Sequence, residues 1–150
     1  MMSIHLLLII HLICATIWVG GHIYLCIIVL PKVLKTKDAT ALLQFEKSYE
    51  KLGMPALLIL VISGLWMATK YGVAFAQLFS FKTPVETIVS LKLLLLITTV
   101  LFALSAQLRV LPKLRTGTNK INEMAFHIIA VTLIGITMLV LGTFVRFGGL

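Results

Sequence analysis

The sequence predicts an all-α integral membrane four-helix bundle, and three observations carry that expectation. Of 150 residues, 60% are apolar and 12% charged, whereas soluble domains are about half apolar and about a quarter charged. Four apolar stretches are each long enough for the ~20-residue helix that crosses a bilayer. None alternates with a period of two, and helices satisfy internally the backbone hydrogen bonds that lipid cannot. The same composition excludes a disordered chain and a coiled coil. Two cysteines, both in apolar runs, exclude a disulfide-stapled module. The whole chain, 1–150, reads as a single transmembrane domain.

The first stretch, 4–30, carries no formal charge. It lacks a basic leader and is about twice as long as the 7–15 apolar residues of a signal peptide, so it is expected to remain as a span. The second covers about 54–69 and extends to Tyr71, the third covers about 85–111 with Lys92 as the only charge away from its ends, and the fourth covers about 124–145. Between the first two, residues 38–52 place Leu42, Phe45, Tyr49 and Leu52 at helical spacing with Glu46, Lys47, Glu50 and Lys51 between them. That pattern predicts a short amphipathic cytoplasmic helix, lying on the inner leaflet or extending the second span, with a corner at Gly53 and Pro55.

Charge placement predicts orientation. Lys32, Lys35, Lys37, Lys47 and Lys51 follow the first span, and Arg109, Lys113, Arg115 and Lys120 follow the third. Only Lys70, Lys82 and Arg146 lie at the other end. Nine against three puts both termini outside and the basic loops in the cytoplasm of a bacterial-type inner (plasma) membrane. The net charge of +8 is then topological, and nucleic acid is not an expected partner.

A weak repeat is present. Val29-Leu30-Pro31-Lys32 closes the first span and Val110-Leu111-Pro112-Lys113 the third. The second ends with Gly64, Lys70 and Gly72, the fourth with Gly142, Arg146 and Gly148. Two parallel hairpins related by an axis along the membrane normal give this pattern.

Ionisable residues inside a span are costly to bury and mark function by default. By depth, His11 and Lys92 fall toward the outer end, His22 and His127 toward the inner end, and His5 near the headgroups. At ~100° and ~1.5 Å per residue, His11 and His22 lie within about 20° of each other and ~16 Å apart along the helix. Cys14, Trp18 and Cys26 share their face, and Gly20 and Gly21 flank it. Lys92 shares a small and polar face with Thr99, Ala103, Ala106 and Gln107.

Two chemistries suit this set. A b-type haem would take His22 and His127 as axial ligands, with His11 and Lys92 as a second site or a propionate and proton partner. Copper would use soft donors at two depths: His22, Cys26, Met54, Met124 and His127 inside, and His5, His11, Cys14, Met67 and Met138 outside. A third class, a structural membrane subunit in which Met and Cys only pack, stays open beside them. So does assembly into a homo-oligomer or a membrane complex.

The run HLICATIWVGG, His11–Gly21, resembles the opening helix of the copper-resistance D (CopD) family, with its His, its Trp-x-Gly-Gly and a Pro closing the span at Pro31. SLKLLLLITTVLFALSAQLRVLPKL resembles the same family's Lys-bearing helix. A related group, the HemJ-type protoporphyrinogen oxidases, also has four spans, a first-helix His and a third-helix Lys, matched here by His11 and Lys92. The segment from Tyr49 through Pro55 to Gly64-Leu65-Trp66 is similar to that group's second helix. His22 and His127 have no counterpart in its pattern, and the basic-aromatic ending of its first helix is absent. The resemblance implies copper movement or tolerance at the inner membrane, or oxidation of a hydrophobic substrate such as a quinol or porphyrinogen.

Overall fold

A computed structural model describes residues 3–117 and 119–145; Arg146 and Gly148, used above, lie outside the described residues. Four helices long and apolar enough to cross a membrane dominate it: α1 (Ile4–Thr36), α2 (Thr40–Lys70), α3 (Pro84–Arg115) and α4 (Ile121–Val145). No strand occurs among the described residues. The chain is a multi-pass membrane protein.

Local chemistry starts and stops the helices. The Ser3 side chain accepts from the Leu6 amide at 3.2 Å, and Thr83, just ahead of Pro84, accepts from the Glu86 amide at 3.2 Å. Asp38 accepts from the Thr40 amide at 2.9 Å and the Thr40 hydroxyl at 2.6 Å, which holds its carboxyl below the usual range. Left-handed residues follow α1 and α3, namely Lys37 (φ 58°) and Gly117 (φ 81°).

Two boundaries differ from expectation. Pro31 and Pro112 do not end their helices; α1 and α3 continue to Thr36 and Arg115. Immediately before each Leu-Pro-Lys, five residues adopt π-helical turns, Leu25–Val29 and Ala106–Val110. The wider turn relieves the clash of the proline ring with the preceding carbonyl and absorbs its missing N–H. The amphipathic segment extends the second span, one of the two placements its pattern allows, but without the expected corner, because α2 runs unbroken through Gly53 and Pro55. Tertiary packing offsets the hydrogen bond that Pro55 removes. Leu42 is 1% exposed, Phe45 and Tyr49 are half-buried, and only Leu52 of the predicted stripe turns away, 56% exposed.

The helices pair as two hairpins, α1 on α2 and α3 on α4, and α1 also lies along α4. At the lysine-rich end Leu30, Val33, Leu42, Val110 and Leu111 close a core in which both π turns take part. Nearer the middle, Trp18, Val19 and Val131 pack with Leu57, Leu60, Phe102 and Met138. Lipid is as apolar as leucine, so close packing and polar contacts carry helix association. One such contact joins α2 to α3: Glu46 accepts from Gln107 Nε2 at 3.0 Å and Arg115 at 3.2 Å.

The hairpins repeat each other beyond the sequence echo. The shift that places Pro31 on Pro112 also places the two π turns in register and His11 on Lys92. The shift that places Gly64 on Gly142 places Tyr49 on His127. The contacts repeat as well. A Cβ on Gly64 would meet His11 at 3.3 Å, and one on Gly142 would meet Lys92 Nζ at 3.4 Å. The ring of Tyr49 lies against Gly21, and that of His127 against Phe102, which is Gly21's counterpart on α3.

Candidate functional site

The stripe expected on the first helix faces the protein interior. Cys14 and Trp18 are buried, His11, His22 and Cys26 are half-buried, and the intervening Leu12, Ile13, Ile27 and Ile28 are exposed.

Hydrogen bonds hold each imidazole on it. His11 Nδ1 is hydrogen-bonded to Ser63 Oγ at 2.8 Å, and that hydroxyl also lies 2.6 Å from the Ile59 carbonyl. His22 Nδ1 lies 2.9 Å from the Trp18 carbonyl, which can only accept. In His22 the proton therefore sits on Nδ1 and the Nε2 lone pair is left free, the arrangement that orients a ligating histidine.

His127 differs. Its Nδ1 donates to the Glu123 carbonyl at 2.8 Å, and its Nε2 accepts from the Ser105 hydroxyl at 3.0 Å. Both nitrogens are engaged within the α3–α4 hairpin, and the ring packs edge-on against Phe102 and Phe126. The ring of His22 instead packs between Trp18, 4.5 Å away, and Tyr49 of α2, 5.8 Å away. Depth alone paired these histidines in the sequence. Their surroundings separate them, so the geometry gives a bis-histidine haem no support.

Tyr49 is a functional neighbour that its sequence position, on an amphipathic stripe, did not single out. Its hydroxyl donates to the Trp18 carbonyl at 2.7 Å, the oxygen that also receives His22 Nδ1. Its ring fills space left by two glycines: a Cβ on Gly21 would overlap it, and one on Gly53 would lie 2.7 Å away. That glycine pair was the available signal. Ser63 and Ser105, which fix His11 and His127, carried none beyond being polar residues inside spans.

At the other end, Lys92 is half-buried, within electrostatic reach of His11, and has no ion pair among the described residues. His5 is exposed. Of the methionines, Met67 and Met124 are buried and Met138 half-buried, but Met54 is 57% exposed and leaves the inner donor group. Among the described residues no three of His, Cys, Asp and Glu converge on a point that could hold a metal ion. The thiols of Cys14 and Cys26 lie one helical turn from His11 and His22 on the same face of α1.

A family model described as copper resistance protein D (CopD) matches residues 43–145. That range takes in most of α2, all of α3 and all of α4, with Lys92 and His127, and begins after α1. No curated protein and no solved structure matches the chain.

Proposed function

The chain belongs to the copper resistance protein D family, and from that premise we propose that it handles Cu(I) as a substrate, held by paired imidazole and thiol donors along the interior face of α1. The observation that carries this reading is the free Nε2 on His22, its ring fixed through Nδ1 on the Trp18 carbonyl and a thiol on the same face at Cys26. Soft thiolate with imidazole suits Cu(I), and pairs of donors bind an ion without trapping it as a closed structural cage does. His11 with Cys14 offers a second pair ~16 Å further along the helix. The ammonium of Lys92 disfavours a cation at that outer pair, so the inner pair is the principal one. His127, hydrogen-bonded on both nitrogens, holds α3 to α4 and is not a ligand in this reading.

The nine-to-three distribution of basic residues supports an inner-membrane orientation with both termini outside and the lysine-rich end in the cytoplasm.

A second reading rests on Lys92. A half-buried ammonium with no carboxylate partner among the described residues, within electrostatic reach of the His11 imidazole, suits an anionic amphipath or a quinone carbonyl. A porphyrin substrate, with its carboxylates, is of that class.

The copper reading is tested in copper-stressed cells expressing the chain. Cellular copper and growth should depend on His22 and Cys26, and His22→Leu and Cys26→Ser should each return both to the values of cells without the chain. If both variants match the parent at equal membrane abundance, the copper reading fails. Loss of function confined to Lys92→Gln and His11→Leu would favour the second reading.

A further inference from the structure

Beside the stacked rings of Tyr24 and Phe45, whose centroids are 5.7 Å apart, a groove of about 390 Å³ opens between the lysine-rich end of α1 and the extension of α2. Tyr24, Ile28 and Lys32 line one wall, Gln44, Phe45 and Ser48 the other. We infer that this groove is a binding site for one anionic phospholipid, with the acyl chain along Tyr24, Ile28 and Phe45 and the headgroup phosphate at Lys32.

Three observations select that occupant. Tyr24 and Ile28 are 51% and 42% exposed on a membrane-spanning helix, so the groove opens toward acyl chains rather than into the bundle. The one charged residue lining it is a cation, and Lys32 has no ion pair among the described residues. Lys35, Lys47 and Lys51, together with Glu50, are exposed in the same stretches of α1 and α2, while Glu46 is turned away onto Gln107 and Arg115. An apolar trough ending in unneutralised positive charge complements a lipid with a negative headgroup, and a zwitterionic lipid would gain less from it. Stacked aromatics at this level also suit the membrane–water boundary.

The test is native mass spectrometry of the full chain in detergent, with phosphatidylglycerol or phosphatidylcholine of identical acyl chains added. Phosphatidylglycerol should be retained in preference. Lys32→Gln should lower its retention about fivefold, the usual effect of one basic residue at an anionic membrane surface. Lys32→Arg should keep it, and Lys82→Gln, at the opposite end, should leave it unchanged. Ala41→Trp, which fills the groove, should abolish preferential retention while helical circular dichroism stays at the parent value. Equal retention of the two lipids would overturn the proposal, as would unaltered binding to Lys32→Gln or to Ala41→Trp. Complete competition by inorganic phosphate would assign the site to a soluble anion, and a dimer that excludes lipid would assign the face to a second copy. Either result would also overturn it.

Discussion

His11 and Lys92 occupy one register in two copies of the same hairpin, each seated against a glycine of its partner helix, Gly64 for His11 and Gly142 for Lys92. The repeat therefore sets an imidazole in one hairpin where the other carries an ammonium, the two within electrostatic reach of each other. His11→Lys would bring two cations together inside the bundle and should cost about 2 kcal/mol or more. Lys92→His should be tolerated within about 1 kcal/mol. Thermal unfolding in detergent separates the two, and equal effects would contradict the pairing.

Tyr49 locks α2 onto α1 through the space at Gly21 and its bond to the Trp18 carbonyl. Gly21→Ala pushes a methyl into the ring and should destabilise by about 1–3 kcal/mol. Tyr49→Phe should lose only about 1 kcal/mol, because His22 still donates to that carbonyl. The order of the two melting temperatures is the check.

The buried His127 Nε2 depends on the Ser105 hydroxyl. Ser105→Ala leaves that nitrogen unpaired and should cost about 1–3 kcal/mol. The double change Ser105→Ala with His127→Leu removes both partners and should recover much of the loss. A double-mutant cycle by thermal unfolding measures the coupling, and additive effects would remove the bond from the account.

Thr99 is 1% exposed and its hydroxyl has no partner among the described residues. Thr99→Val keeps the shape and removes the unpaired group, so it should be neutral or stabilise by up to about 1 kcal/mol. A clear loss of stability would mean the hydroxyl is used.

What the sequence made legible follows from which forces are local. Four spans are visible because a bilayer imposes a long apolar run on each. The inward stripe of α1 is visible because helical phase alone places Cys14 and Trp18 on one face with His11 and His22. The helix ends are less so. Pro31 and Pro112 read as stops and Pro55 as a corner, but π turns and packing around Leu42 carry the helices through them. Depth put His22 and His127 at similar levels but could not show where their rings point. Each ring is held through Nδ1 by a carbonyl of its own helix, but what its other side meets depends on Tyr49 and Ser105, residues on other helices. The same tertiary bonds decide which Nε2 is free, so no spacing rule could distinguish His22 from His127.

Anaerobic Cu(I) titration of the purified chain against a chromophoric chelator tests whether His22 and Cys26 on α1 bind copper. Cu(I) should be withdrawn from the chelator by the parent protein and by His127→Leu, and at least tenfold less by His22→Leu and by Cys26→Ser. Binding that survives both α1 changes, or that falls only with His127→Leu, would contradict the account.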